Sequence, residues 1–215
     1  MRMHRCGLQR RGLHRRGLLR IVSAATAVAL AGCASAPTNY FRLAVIPGAI
    51  NNGPALKIGV RSINIPGYLD QNGIAKAGGE YEFSTYPNDI WAEPLNDMLQ
   101  DVAVQELSQR LPSSVVLGSG GSIASTSDLL IEANVLRFDP DSSGQITLAV
   151  QIALKSGQDY HILTVQSFTS SAIPTGTDVT NTVATMSGLW AKFADQLALL
   201  CAQQSASLAS AAAAQ

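Results

Sequence analysis

Gln145–Lys155 reads QITLAVQIALK and is the clearest structural signal in the chain. Apolar and more polar positions alternate along it, which is the two-residue period of a β-strand with one buried face. The pattern therefore predicts a strand that covers a core on one side and meets solvent on the other. Its apolar face consists of Ile146, Leu148, Val150, Ile152 and Leu154.

Two further strands are predicted on either side of this stretch. Asp128–Phe138 alternates in the same way, and the turn sequence DPDSSG at 139–144 separates the two strands. On the other side, Ser156–Asp159 is typical of a turn, and Tyr160–Thr169 returns as a strand. Three consecutive strands joined by short turns predict an antiparallel meander.

Two amphipathic helices and several short strands complete the predicted domain. One helix begins near Asp89–Pro94 and runs to about Arg110, with Asp89 as a candidate cap, and the other covers Asp178–Gln204. We expect an α+β fold, in which the two long amphipathic helices pack on one face of a mixed, mostly antiparallel β-sheet. The remaining predicted segments are strands at Asn39–Ile46, Ala55–Ile65, Glu80–Tyr86 and Ser113–Gly118, a loop at Tyr68–Gly79 and a turn at Pro87–Asp89.

The first residues have the features of a bacterial export signal. Residues 1–20 contain seven arginines and no acidic residue, and an apolar run follows at Ile21–Ala31. This run is shorter than the roughly 20 apolar residues that a membrane-spanning helix needs. The tetrapeptide Leu30–Cys33 (LAGC) resembles the lipobox of bacterial lipoproteins. That resemblance implies cleavage before Cys33 and attachment of diacylglycerol to its thiol.

Two alternatives stay open for this segment. A secreted protein with an unmodified cysteine near its cleavage site is one of them. The other concerns the export route, because His14–Arg20 resembles a twin-arginine signal while an arginine-rich Sec signal contains such pairs by chance. The expected division of the chain is a signal peptide at 1–32, a lipidated tether at 33–38, one domain at 39–204 and a disordered Ala/Ser tail at 205–215.

Removal of the signal peptide changes the charge balance. The whole chain has 15 basic and 15 acidic residues, and seven of the basic ones lie in the first 20 positions. The mature chain therefore has 15 − 7 = 8 basic and 15 acidic residues, a formal charge of 8 − 15 = −7. Such a domain, without a Lys/Arg patch, does not suit nucleic acid, and its attachment to a membrane would depend on the lipid.

The mature sequence offers few groups for catalysis or metal binding. His161 is its single histidine and lies in a predicted strand, and no Gly-x-Ser-x-Gly elbow is present. Cys201 lies on the apolar side of the last helix, which favours a buried small hydrophobe over a reactive thiol. Gly118–Gly121 lacks the Gly-Lys-Ser/Thr of a phosphate-binding loop. We expect no catalytic residue, no metal and no cofactor.

Two segments combine an aromatic residue with proline and an acid. Ile65–Asp70 reads IPGYLD and Ile90–Leu95 reads IWAEPL. Such segments often pack back onto the core, but Trp and Tyr are also enriched at the hot spots of protein interfaces. The candidate partner-binding residues are Tyr68, Leu69, Asp70, Trp91, Glu93 and Pro94.

These segments also carry a family resemblance. Together with Tyr40–Leu43 (YFRL) and Ile58–Val60 (IGV), and in the same order, they resemble the ABC-type transport auxiliary lipoproteins, the paraquat-inducible protein C family. The resemblance covers about residues 39–200, and WAEPL is its most specific element. The family usually has arginine where Gln71 and Ile90 stand here, so the contacts of those arginines are in question.

The resemblance implies a non-catalytic accessory lipoprotein of an intermembrane lipid transport system. Its partners would be a mammalian-cell-entry-type protein that bridges the envelope, the inner-membrane transporter of that system, and further copies of itself in a ring. Ala34 follows Cys33 where aspartate would retain a lipoprotein at the inner membrane of enteric bacteria. We therefore expect a lipid anchor in the outer membrane, on its periplasmic face. The competing functions are a structural or regulatory lipoprotein that binds a cell-wall enzyme or envelope scaffold, and a hydrolase that uses His161.

Overall fold

The computed structural model describes residues 36–53, 55–79, 81–119 and 126–213. The predicted signal peptide, Cys33 and the glycine-rich residues 120–125 lie outside the described residues. The described chain from Thr38 onward belongs to one compact unit. Its elements are β1 (Asn39–Phe41), β2 (Lys57–Val60), β3 (Gly73–Lys76), β4 (Ser84–Trp91), α1 (Leu95–Arg110), β5 (Val115–Gly118), β6 (Leu129–Pro140), β7 (Ile146–Ser156), β8 (Ile162–Ala172) and α2 (Val179–Ala213).

The larger sheet is built around the predicted meander. Its strand order is β5-β2-β6-β7-β8, and β6, β7 and β8 pair antiparallel as the sequence predicts. β2 pairs parallel with both β5 and β6. The five aliphatic residues of β7 from Ile146 to Leu154 are buried, because they form the face that covers the core. The predicted α+β class with a mixed sheet is confirmed, although the strands divide between two sheets rather than one.

The smaller sheet has the order β1-β4-β3. β1 pairs parallel with β4, and β3 pairs antiparallel with β4. β3 occupies residues that the sequence predicts as loop, because GIAK follows a glycine-rich, polar stretch without clear alternation. The predicted strand at Glu80–Tyr86 is displaced to Ser84–Trp91.

The predicted turn at Pro87–Asp89 is wrong, because these residues lie inside β4. The pairing of β3 with β4 is irregular around them: Ala75 pairs with Thr85 and Gly73 pairs with Ile90. A step of two residues along β3 therefore corresponds to a step of five residues along β4. Asn88 adopts a left-handed conformation with φ 62° at this irregularity. The turn-forming residues therefore bend the strand within the sheet instead of ending it.

The start of α1 also differs from the prediction. Pro94 precedes the helix with extended backbone angles, φ −53° and ψ 133°, and its carbonyl accepts a hydrogen bond from the N–H of Met98 at 3.1 Å. Asp89 is not the cap, since it lies in β4 and its carboxylate accepts a hydrogen bond from Asn39 Nδ2 at 2.8 Å. Proline is suited to a helix start because its missing N–H has no partner to lose there.

α2 supplies the centre of the core. Trp190 and Phe193 are fully buried with ring centroids 4.7 Å apart, and the ring of Phe138 from β6 lies 6.2 Å from Trp190. α2 contacts α1, β7 and β8, while α1 contacts β2 and β5. The backbone is helical as far as Ala213, beyond the predicted end at Gln204. Within the described ranges, none of the helices has the length and apolar composition to cross a membrane.

Residues 42–51, here called the N-terminal strap, cross both helices without regular secondary structure. The N–H of Leu43 donates to Met98 Sδ at 3.0 Å on α1, and the N–H of Ala44 donates to Ser187 Oγ at 3.0 Å on α2. Side chains of the two helices thus accept the hydrogen bonds that a neighbouring strand would otherwise accept from these backbone groups.

A buried charged cluster lies beneath the strap. Arg110 and Glu106 are fully buried, and Asp195, at the rim, has 46% of its side chain exposed. Arg110 Nε donates to Asp195 Oδ1 at 2.6 Å, and Arg110 Nη1 donates to the carbonyl of Ile46 at 3.1 Å. Glu106 Oε1 accepts the N–H of Ile46 at 2.8 Å, while its Oε2 lies 3.9 Å from Arg110 Nη1 and has no hydrogen-bond partner within the described part of the chain.

In this cluster one guanidinium group, that of Arg110, lies between the two carboxyl groups of Glu106 and Asp195. Burial raises the pKa of Glu106 to about 7, and the nearby carboxylate of Asp195 adds to the increase. The N–H of Ile46 and the charge of Arg110 offset this increase only in part. Asp195 makes the shorter contact with Arg110, so Glu106 is the carboxylate that gains a proton near neutral pH.

Candidate partner-binding site

Three of the four segments that carry the family resemblance meet at the three-stranded sheet, while the fourth, Ile58–Val60, lies in β2 of the larger sheet. The N–H of Trp91 donates to the carbonyl of Asn72 at 2.8 Å, two residues after the IPGYLD segment. The N–H of Ala92 donates to the carbonyl of Phe41 at 2.8 Å, within the YFRL segment. Backbone pairing therefore places YFRL, IPGYLD and WAEPL side by side, although they are far apart in the chain.

The IPGYLD segment forms a compact turn. The N–H of Leu69 donates to the carbonyl of Pro66 at 2.9 Å, and the Leu69 side chain is buried in the core. Asp70 is exposed. Gln71 Nε2 donates to the carbonyl of Tyr68 at 2.7 Å and closes the turn from outside. This contact is made by the residue that stands where the resembled family usually has arginine.

Tyr68 is the aromatic side chain of this turn that reaches the surface. It is 40% exposed, its ring meets that of Phe83 edge to face at 5.4 Å, and its hydroxyl donates to Asp139 Oδ1 at 2.8 Å. Burial and this hydrogen bond raise the pKa of Tyr68 well above its usual range. The phenol is therefore neutral and held in one orientation, as an aromatic anchor at an interface would need to be.

The WAEPL segment is divided between core and surface. Trp91 is 5% exposed and belongs to the hydrophobic core, whereas Glu93 and Pro94 are exposed. Trp91 and Leu69 thus support the surface from below, and a partner would meet Tyr68, Asp70, Glu93 and Pro94. The role of these residues as partner contacts stays a prediction.

A groove of about 500 Å³ lies between the strap and α1, beside Glu93. Its floor includes the buried Leu43, Met98 and Val102, and its rim is polar. The charged residues on the rim are Arg42, Glu93 and Asp101, with Gln105 further along the helix. The groove was not predicted from the sequence. An acidic residue such as Asp101 near the N-terminal end of a helix is expected from the helix dipole alone, so it does not indicate a binding site. Nothing in the neighbouring sequence indicates that Arg42 lies beside the same groove.

The two residues considered for chemistry lie in different settings. Cys201 is buried as predicted, and burial raises the pKa of its thiol to about 12, so the reactive thiolate is disfavoured. His161 is exposed and precedes β8 rather than lying within a strand. Its Nδ1 lies 2.7 Å from Asp159 Oδ1 in the turn between β7 and β8.

Comparisons with known proteins agree with the sequence resemblance. The intermembrane transport lipoprotein PqiC of Escherichia coli is 27% identical over 176 residues, which cover 79% of this chain and 90% of that protein. The protein of the same name from Shigella flexneri matches with the same values. A crystal structure of a protein from Xanthomonas campestris superposes with a TM-score of 0.65 at 20% identity, covering 80% of this chain and 99% of that one, and supports the fold.

The family assignment rests on most of the domain rather than on a short motif. Residues 44–198 match the family described as the ABC-type transport auxiliary lipoprotein component. The matched range includes the IPGYLD turn, WAEPL, both sheets except β1, and most of α2. The chain belongs to the ABC-type transport auxiliary lipoprotein family.

Proposed function

We propose that the protein is a non-catalytic accessory component of an intermembrane lipid transport system, and that it binds a mammalian-cell-entry-type protein that bridges the envelope. Its family is that of transport auxiliary lipoproteins, and two relatives are named intermembrane transport lipoproteins. The observation that carries the proposal is the convergence of YFRL, IPGYLD and WAEPL on one small sheet with an adjacent groove.

The position of this sheet in the chain supports a role close to a membrane. In this proposal Cys33 carries the lipid, and Asn39, the first residue of β1, is the sixth residue after it. Six extended residues span at most about 20 Å. The sheet would then stay within that distance of the anchored end, on the periplasmic face of the outer membrane, where a tunnel arriving from the inner membrane would end.

The chemistry of the groove indicates what kind of segment it accepts. Its floor is apolar, and its rim carries the carboxylates of Glu93 and Asp101 against the single guanidinium of Arg42. A partner segment with an apolar anchor and a basic flank fits this pattern. Tyr68 and Pro94 would extend the contact with apolar surface.

The test is capture of the lipidated protein from gently crosslinked envelopes, with partners identified by mass spectrometry. We expect the wild type to recover a mammalian-cell-entry-type protein, and Glu93→Arg to reduce its recovery about tenfold, since a reversed charge at an interface costs 1.4 kcal/mol or more. Glu82→Arg is the control, because it reverses an exposed acid that does not line the groove. Trp91→Ala is unsuited here, since it removes a core side chain.

Two results would contradict the proposal. Equal recovery with both charge variants would exclude the groove as the binding site. Recovery of cell-wall proteins alone would exclude the transport role and favour the structural or regulatory lipoprotein instead.

A further inference from the structure

The exposed face of the larger sheet contains an open groove of about 500 Å³, here called the sheet trough. The trough extends from Arg61 and Asn64, which follow β2, across β6 and β7 to Val165 on β8. Ligand sites commonly have volumes of about 300–1,000 Å³. The sheet trough shares no lining residue with the groove beside α1, so it is a separate candidate site.

A row of polar side chains crosses the sheet in this trough. Asn64 forms a parallel bridge with Asn134, and Asn134 pairs with Gln151. Ser167, the β8 partner of Gln151, continues the row. All four residues are exposed, and side chains opposite each other on neighbouring strands lie about 5 Å apart. The row therefore presents three amides and a hydroxyl along one line.

The three amides of this row are available to a ligand. Within the described part of the chain, the side chains of Asn64, Asn134 and Gln151 have no hydrogen-bond partner in the protein. Each side-chain amide offers donors on its nitrogen and an acceptor on its oxygen. The trough thus both donates and accepts hydrogen bonds at three neighbouring positions.

The charged groups beside this row are already paired with one another. Lys155 Nζ lies 2.7 Å from Glu132 Oε2, and Arg61 Nε lies 3.8 Å from Glu132 Oε1. The guanidinium of Arg61 also lies over the ring of Tyr160, 5.7 Å from its centroid. Both cations are held by protein groups, and the mature chain has a formal charge of −7, so the trough suits an uncharged ligand better than an anionic one.

The apolar surface of the trough is small. Ala153 lies between Glu132 and Val165 in register, and its short side chain leaves a depression between them. Val165 is 61% exposed. One methyl group and one valine offer too little area to hold an apolar peptide segment, but they suffice to contact a methyl group or the C–H face of a sugar ring.

Tyr160 adds aromatic surface beside Arg61. Its side chain is 58% exposed, and its backbone has a φ of 62°, a left-handed conformation that bulky residues rarely adopt. Residues held in such conformations cluster at ligand and active sites. The tyrosine ring has an apolar body and a hydroxyl at its tip, which matches a sugar, where apolar C–H groups lie beside hydroxyls.

We propose that the sheet trough binds a neutral, N-acetylated glycan strand. The hydroxyl groups of a glycan both donate and accept hydrogen bonds, as the row of amides does. An acetamido group is the better match, because its N–H and C=O pair with the oxygen and the nitrogen of one side-chain amide at the same time. Its methyl group would lie in the depression at Ala153. This inference does not depend on the proposed transport function.

The test is a calorimetric titration of the lipidated protein with two soluble sugars. The detergent has a polyoxyethylene headgroup, because a sugar headgroup would compete for the trough. The probes are a tetramer of N-acetylglucosamine and the glucose tetramer of the same linkage. We expect saturable binding of the N-acetylated tetramer, and binding of the glucose tetramer at least about tenfold weaker, because the glucose tetramer lacks the acetamido hydrogen bonds.

Matched variants locate the binding in the trough. Asn134→Val with Gln151→Val removes two of the amides, keeps a residue that favours strands, and should weaken binding of the N-acetylated tetramer at least about tenfold. Gln166→Val is the control and should bind as the wild type does. It removes an exposed amide of β8 whose β7 partner is the buried Ile152, so that it lies on the other face of the sheet from Gln151. Urea unfolding checks that each variant is folded.

Four results would overturn the proposal. The first is a wild type that binds neither sugar, and the second is equal binding of the two tetramers. The third is a folded trough variant that binds as tightly as the wild type does. The fourth is an equal loss of binding in Gln166→Val, which would mean that the glycan lies elsewhere on the sheet.

Discussion

Replacement of Glu106 by glutamine should remove a pH dependence of folding stability that lies between pH 4.5 and 7. In the folded protein burial raises the pKa of Glu106 from 4.5 to about 7, so the folded state binds a proton that the unfolded state has already released. The stabilisation is fully present below pH 4.5 and is lost as the pH rises through 7. A difference of 2.5 pKa units corresponds to about 3 kcal/mol.

Glutamine is the appropriate substitution because it keeps the contact with the strap. Its side-chain oxygen can still accept the N–H of Ile46, which Glu106 Oε1 binds at 2.8 Å. The amide is neutral at every pH, so Asp195 is then the only carboxylate of this cluster that pairs with Arg110. We expect Glu106→Gln and the wild type to have similar stability at pH 4.5, and the variant to be more stable by about 3 kcal/mol at pH 8.

The assay is urea unfolding of both proteins, followed by circular dichroism, at intervals from pH 4.5 to 8. Glu93→Gln is the control, because it removes an exposed carboxylate outside the cluster and should reproduce the pH profile of the wild type. The reasoning is refuted if the stability difference between Glu106→Gln and the wild type does not grow with pH. A variant less stable than the wild type at pH 8 would mean that the ionised Glu106 and Arg110 form a net stabilising pair.

Two further predictions concern the packing around the strap and α2. Gly48→Ala should destabilise the protein by about 1–3 kcal/mol in urea unfolding, because an added Cβ would collide with Asp195 Oδ1 and Arg110 Nε. Gly67→Ala is the control and should leave the stability unchanged, because it adds a Cβ in open space. Cys201 should not react with a thiol reagent in native buffer but should react once the protein is unfolded, because its thiol is buried and has a raised pKa. Rapid labelling of the folded protein would contradict this burial.

The meander could be predicted from the sequence because its information is local. β6, β7 and β8 follow one another through short turns, so alternation along each strand and the turn residues between them define both pairing and register. The same is true of α2, whose apolar residues recur at helical spacing along one continuous segment.

The three-stranded sheet could not be predicted in this way because its pairing is not local. β1 pairs parallel with β4, and the partners Phe41 and Trp91 are joined by a chain that enters the other sheet in between. Pro87–Asp89 has the composition of a turn, and only the pairing of β4 on both sides of it keeps the strand together. Tertiary pairing overrides local preference here.

The candidate site was predictable as a set of segments but not as a surface. Sequence leaves Trp91 and Leu69 open to both a core and an interface role, and burial assigns them to the core. Glu106 and Arg110 form an i,i+4 pair, which on an ordinary helix is a solvated surface pair. It is buried here because the strap crosses it, and no pattern within the helix indicates that crossing.

The hydrogen bonds of the strap depend on an element from the other end of the domain. The N–H of Ala44 donates to the hydroxyl of Ser187, a residue 143 positions later on α2. The strap can therefore make this contact only after α2 has formed. Contacts of such large sequence separation close late, since a long loop must lose its freedom first. The strap, which follows β1 near the start of the described residues, is thus fixed only after elements much later in the chain. Leu43 and Ala44 therefore gain these hydrogen bonds only once both helices are in place.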